Sequence, residues 1–175
     1  MDNSAKAAIQ QLKNGYMLVA LHEKSLAINA CKKKGFNGMA NKIKLAQQQE
    51  NKSIANAFLA EFNFTKVYFF SDTNAQEVLK HPSQWILNRD LNPVKSTDFT
   101  DSSFFLIAEF GRLSGNESGF EALRIIDKHF NEMQRPFPFY VRSNKWLIVK
   151  RKHQEVVKAL NEELVKFYKL NNQQR

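Results

Sequence analysis

The sequence predicts an α/β domain with a central, mostly parallel sheet, helices on both faces and an antiparallel hairpin near its C-terminal end. Three observations predict it. Apolar, β-prone runs at residues 16–22, 66–70 and 104–110 alternate with stretches whose apolar residues recur at helical spacing. Glycine and proline are scarce, six and four in 175 residues, and mostly punctuate those stretches. Fifteen phenylalanines supply large rings for one core, each worth roughly 150–250 Å² of buried surface. One domain over residues 1–175 is expected, with an N-terminal helical extension over 1–15 and a frayed tail over 171–175.

The elements follow in order. Ala7, Ala8 and Leu12 lie near helical spacing, and Asn14-Gly15 ends that helix. Residues 16–22 are apolar on both faces, as a central buried strand requires. Residues 25–34 predict a helix closed by Gly35, with Ala27, Ala30 and Cys31 on one face and Lys32, Lys33 and Lys34 outward. Two apolar stripes follow, Met39-Ile43-Ala46 and Ile54-Phe58-Phe62, separated by the polar residues 47–52. They form either one long helix or two. Residues 66–70 are a strand, and Ser71 to Asn74 offer N-cap chemistry for a helix that Pro82 stops. Residues 85–87 predict a brief strand, 88–102 a loop, 104–110 a strand and 111–119 a turn-rich loop. Phe120, Leu123, Ile126, Phe130 and Met133 recur at intervals of 3, 3, 4 and 3, which predicts an amphipathic helix ended by Pro136. A hairpin is expected from strands 139–142 and 146–150. Val157, Leu160, Leu164 and Phe167 mark a last helix.

Charge is unevenly distributed. The formal net charge is +9, but residues 1–60 carry +6, residues 61–130 carry −3 and residues 131–175 carry +6. A single cysteine excludes an internal disulfide framework and zinc sites built on paired cysteines. No apolar run approaches the ~20 residues that cross a bilayer, and the N-terminal residues lack the apolar core of a signal peptide. A cytoplasmic location is the default expectation, with a periplasmic or secreted one if the chain is a mature product whose signal was removed.

Chemistry-bearing motifs are few. There is no Walker loop and no Gly-x-Gly-x-x-Gly. The run Gly111-Arg112-Leu113-Ser114-Gly115 sets Ser114 one place too late for a nucleophile elbow. His22, His81, His129 and His153 form no i,i+4 pair, although His129 and Glu132 can meet on a helix. Cys31 reads as a buried inert thiol or as one activated by adjacent lysines. Arg135, Phe137, Phe139, Tyr140 and Arg142 interleave charge with rings. Such a run is a stacking platform if the rings face out. With Phe137, Phe139 and Val141 turned inward, it is a strand with solvated arginines.

From Tyr16 onward the predicted order β-α-β-α-β-α-β-β-α resembles the thioredoxin fold. That resemblance implies a cis-proline just before the hairpin, where the chain reads Arg-Pro-Phe-Pro-Phe over 135–139, and points to Pro138. The redox cysteines of that family would follow strand 66–70. The chain has Ser71-Asp72-Thr73-Asn74 there, which implies a redox-inactive protein. The stretches Asn-Ala-Phe-Leu-Ala-Glu-Phe-Asn-Phe-Thr-Lys-Val-Tyr-Phe-Phe (56–70) and Arg-Pro-Phe-Pro-Phe-Tyr-Val-Arg (135–142) also resemble a family of small, uncharacterised bacterial proteins. Members of that family often begin with a signal peptide, and the likeness supplies no activity.

The leading functional expectation is therefore a non-catalytic binding or scaffold domain that recognises a protein or another acidic surface. A nucleic-acid-binding domain is the alternative, with Lys32, Lys33, Lys34, Lys150, Arg151 and Lys152 as one basic patch. A third reading is an enzyme with a site near Asp72, Thr73 and Arg112. No motif calls for a cofactor or a metal.

Overall fold

A computed structural model describes residues 3–88, 90–93, 103–113, 120–145 and 149–172. The chain runs through α1 (Asn3–Asn14), β1 (Tyr16–Leu21), α2 (Ser25–Lys33), α3 (Asn37–Glu61) and β2 (Lys66–Ser71). A 3-10 turn (Asp72–Asn74), α4 (Ala75–Lys80), α5 (Pro82–Trp85) and β3 (Phe105–Arg112) follow. The last elements are β4 (Glu121–Ile126), β5 (Tyr140–Arg142) and α6 (His153–Asn172). The five strands form one sheet in the order β2-β1-β3-β4-β5.

β1 pairs in parallel with β2 and with β3, whereas β3–β4 and β4–β5 are antiparallel. The sheet is thus mixed, not mostly parallel as expected. The difference lies in residues 120–133, where β4 replaces the expected helix. Ala122, Leu123, Ile125 and Ile126 are all buried, because this strand has cover on both faces. Burial on both faces breaks the alternation that marks a half-exposed strand, so the apolar spacing imitates a helix. Asp127 then turns the chain: its Oδ1 accepts the N–H groups of His129 at 2.8 Å and Asn131 at 2.9 Å.

Each face of the sheet has its own core. Met17, Val19, Phe69, Leu106 and Leu123 pack beneath α1, the C-terminal half of α3, and α6, through side chains such as Ile9, Phe58 and Leu160. Leu18, Phe70 and Ile107 pack on the other face against Val78 of α4 and Ile86. Further along this second face, Glu109 of β3 and Arg124 of β4 stand opposite each other in register. Where α1 enters β1, the backbone of Gly15 comes so close to Phe104 that a Cβ would sit 2.1 Å from its carbonyl oxygen. Only glycine fits there, while Tyr16 N–H donates to the same oxygen at 3.0 Å.

Smaller expectations also change. α3 is one continuous helix of 25 residues. Trp85 belongs to α5, which Pro82 opens at its first turn, and Leu87 makes only isolated bridges to Phe69 and Pro93. The cis peptide is Arg135–Pro136, not the bond before Pro138. The tight turn spans Gln134 to Phe137, closed by Phe137 N–H to Gln134 O at 3.0 Å, so Pro136 is its turn residue. Pro138 already lies in the extended approach to β5, since the Phe139 carbonyl accepts from Ile125 N–H at 2.7 Å. Of the expected second hairpin strand, residues 146–148 lie outside the described residues, and Asn144 forms a single bridge to Lys150. Of the expected tail over 171–175, residues 173–175 lie outside the described residues, and α6 continues through Asn172. Asn171 is buried, and Asn172 Oδ1 accepts from Gln10 Nε2 of α1 at 2.6 Å. Among the described residues, no helix is long and apolar enough to cross a membrane.

Candidate functional site

β1 and β2 are parallel neighbours, so both deliver the chain to the same edge of the sheet. From there α2 and α3 lead over one face and α4 over the other. Opposed crossovers of this kind open a crevice at the carboxyl ends of the strands.

The register Leu21↔Ser71 brings the next residues, His22 and Asp72, side by side. His22 Nδ1 is 2.9 Å from Asp72 Oδ2, and Nε2 is 2.9 Å from the carbonyl oxygen of Phe110. Both partners accept, so the ring fits this position as an imidazolium that donates from both nitrogens. Burial pulls the pKa of His22 down. The hydrogen bonds to Asp72 and Phe110 and the charges of Asp72 and Glu109 outweigh it, and the net shift is upward. Asp72 Oδ1 also accepts Glu23 N–H at 3.2 Å. Asn51 Nδ2 donates to the His22 carbonyl at 2.8 Å, and Gln47 Nε2 donates to Asn51 Oδ1 at 3.1 Å. Ser71 Oγ donates to Glu23 Oε1 at 2.7 Å and lies 2.7 Å from Thr73 Oγ1. The result is a clasp across the ends of β1, β2 and β3 and the wall of α3. A general base needs a ring nitrogen with a free lone pair, and here each nitrogen already faces an acceptor.

The clasp makes stability depend on pH. Because the folded pKa of His22 lies above 6.5, its contribution is full below pH 6.5 and is lost as pH rises through the folded value. His153 works in the opposite sense, since burial lowers its pKa. Urea unfolding of the wild type and of His22→Gln isolates the first effect. The stability advantage of the wild type should shrink between pH 5.5 and pH 8.5, and a constant difference would contradict the clasp.

The structure brings Asp72, Arg112 and Lys150 to one cavity of about 410 Å³, together with His22 and His153. Two of its cations have acidic neighbours: Arg112 faces Glu121 in register, and Lys24 Nζ is 3.9 Å from Glu50. His153 Nδ1 lies 2.9 Å from Ser53 Oγ, and its ring stands edge-on to Phe110. Thr73 is exposed beside Ser71 rather than in this cavity. Gln47 separates it from a groove of about 660 Å³ between α2, α3 and the segment carrying Leu87 and Leu91. Ile28 and Leu45 add apolar surface to this groove, and Lys32, Lys44 and Lys52 line it as well.

The six basic candidates disperse. Lys33 and Lys34 are exposed at the end of α2 with Lys32. Lys150 faces the His22 cavity, Arg151 faces a different groove beside β5, and Lys152 is exposed at the start of α6. α2 itself differs from expectation. It buries none of its residues, Ala27 and Ala30 are exposed, and the free thiol of Cys31 is half-buried. Gly35, at φ +78°, turns the chain from α2 into α3, with Phe36 N–H donating to Cys31 O at 2.9 Å. On this helical pair Leu26 is 86% exposed, Phe36 and Met39 57%, and Leu45 59%.

Of the interleaved aromatic run, Phe137 and Val141 turn into the core, Phe139 is half-buried, and Arg135 and Arg142 are exposed. Glu132 does not meet His129 as expected; its carboxylate accepts from Arg124 Nη1 at 2.7 Å. Among the described residues, no three His, Cys, Asp or Glu side chains gather as a metal site. Ser114 and Gly115 lie outside the described residues.

The chain matches no protein-family model, and no similar curated protein or solved structure is found.

The His22–Asp72 pair escaped the sequence reading, although a signal for it exists. Each residue directly follows an apolar strand, and parallel neighbours in register place such residues together. The Arg124 network has no comparable signal, because the apolar spacing of its strand imitates a helix.

Proposed function

We propose that the protein is a non-catalytic binding domain whose α2–α3 pair docks on an acidic surface of a protein partner. The observation that carries this reading is the exposure of Leu26, Phe36, Met39 and Leu45 on α2, which buries none of its residues, and on the largely exposed first half of α3. Large apolar side chains gathered on an exposed element mark interaction surfaces, and burying each contributes roughly 1.5–3 kcal/mol. Residues 24–52 also carry seven lysines against the single acid Glu50. That imbalance steers an acidic partner towards the pair and disfavours a basic one. Apolar side chains among the lysines favour a protein over a nucleic-acid backbone, which offers phosphate and sugar. The clasped state of His22 and Asp72 supports the non-catalytic part of the reading.

The test uses a fluorescein-labelled 18-residue helical peptide with leucines on one face and glutamates on the other. Anisotropy should show saturable binding that weakens as salt rises. Lys32→Glu with Lys44→Glu, and separately Leu45→Ser, should each weaken it roughly tenfold, the equivalent of about 1.4 kcal/mol. Tighter binding to duplex or single-stranded nucleic acid, unaffected by Leu45→Ser, would transfer the surface to the nucleic-acid reading.

A further inference from the structure

We infer that the outer edge of β5 is a second recognition site, which takes an extended acidic segment of a partner protein as an added strand. β5 is the last strand of the sheet, so no strand among the described residues lies on its outer side. Its pairing with β4 determines which main-chain groups face that way. Ile125 N–H donates to Phe139 O at 2.7 Å and Ser143 N–H donates to Glu121 O at 2.9 Å. With Leu123 opposite Val141, residues 139, 141 and 143 turn main-chain groups towards β4. Tyr140 and Arg142 therefore turn theirs outward. The chain after β5 returns only as far as Ser143, whose carbonyl accepts Arg151 N–H at 2.7 Å.

An open groove of about 770 Å³ runs beside this edge. Arg135, Arg142, Lys145 and Arg151 line it with one acid, Glu163; Lys145 Nζ is also 3.4 Å from Glu155, and the Arg142 guanidinium stands 4.3 Å from the centre of the Phe120 ring. Arg151 has donors to spare. Its terminal nitrogens make only long contacts, 3.5 Å to the Arg142 carbonyl and 3.4 Å to the Glu155 carbonyl, and its buried Nε has no partner among the described residues. A carboxylate is the natural partner of such a guanidinium. The outward N–H and C=O groups match a peptide backbone, as in strand addition.

The charges also select against the other occupants. A second copy paired through β5 would set Arg135 and Arg142 near their own kind, and like charges across a strand pair repel. A single-stranded nucleic acid needs open ring faces. Phe137 is buried, and Phe139 is already engaged edge-on by Tyr140 at 4.8 Å.

The probe is a fluorescein-labelled eight-residue peptide that alternates glutamate and valine, titrated into the full chain. Saturable, salt-sensitive binding is expected, and Arg142→Glu should weaken it roughly tenfold or more. The same peptide N-methylated at alternate residues keeps its charge and loses backbone donors, so it should also bind at least tenfold more weakly. Amide exchange at Tyr140 and Arg142, whose N–H groups face outward, should slow in the complex. Arg142 is exposed, so its substitution spares the fold, and circular dichroism of the variant verifies this. The Lys32→Glu, Lys44→Glu variant should bind this peptide as the wild type does, which separates this site from the α2–α3 pair. Equal affinity for the N-methylated peptide, tighter binding of oligo(dT), or a dimer that blocks the peptide would each overturn the inference.

Discussion

Arg124→Ala should destabilise the protein by roughly 1–3 kcal/mol, the usual cost of removing the donor from a partly buried, charge-assisted network. Arg124 Nε donates to Glu109 Oε1 at 2.9 Å, Nη2 reaches the same oxygen, and Nη1 donates to Glu132 Oε1 at 2.7 Å. All three side chains are partly buried, with 21%, 16% and 17% exposed for Arg124, Glu109 and Glu132. Without the guanidinium, the Glu109 and Glu132 carboxylates would lose the cation they share and repel each other in a partly shielded setting. The cost thus comes mainly from the charges left behind, more than from the net worth of the network. A triple variant, Arg124→Leu with Glu109→Gln and Glu132→Gln, distinguishes the two. It should recover most of the loss in urea unfolding, because replacing a whole buried ion network is often close to neutral. A triple variant as unstable as Arg124→Ala would show that geometry, and not stranded charge, sets the cost.

Phe58→Ala should cost about 3–5 kcal/mol as a large-to-small change in a closed core. Phe58 is fully buried and packs against Phe62 with ring centroids 5.6 Å apart. It also lies in the half of α3 that anchors the helical pair, with Ile54, Ala55 and Ala57. α2 buries nothing, and the first half of α3 buries little beyond Ala40 and Gln47, so this anchor holds the proposed docking element in place. Amide exchange in α2 and α3 should accelerate along with the drop in urea midpoint. Leu45→Ala, at an exposed site of the same helix, should stay within about 0.5 kcal/mol. A loss below 1 kcal/mol for Phe58→Ala, with exchange in α2 unchanged, would refute the anchoring role.

Local patterns proved legible wherever one physical signal acted alone. The unbroken apolar run of β1 marked a strand with neighbours on both sides, and it lies between β2 and β3. Gly35 ends α2 because glycine readily adopts its φ of +78°, and Pro82 separates α4 from α5 because proline fixes φ and lacks an N–H donor. Two overlapping signals hide β4. In residues 120–126 an apolar recurrence fitted a helix, and burial on both faces of a strand produced the same pattern. α2 is a different case: its alanines and Cys31 were expected to pack, but nothing in a local pattern says whether a partner surface stands opposite.

By itself the sequence determined the α/β class, the positions of most helices, the single cysteine and the excess of lysine on residues 24–52. These depend on neighbours along the chain, on composition and on backbone chemistry. Only the tertiary structure decided strand order and direction, the meeting of His22 with Asp72, and the pairing of Arg124 with two glutamates. It also decided that Lys150 and Arg151, adjacent in sequence, face different cavities. The reason is physical. Pairing across a sheet and the direction of a surface charge depend on distances between residues far apart in the chain, and local periodicity carries no record of those distances.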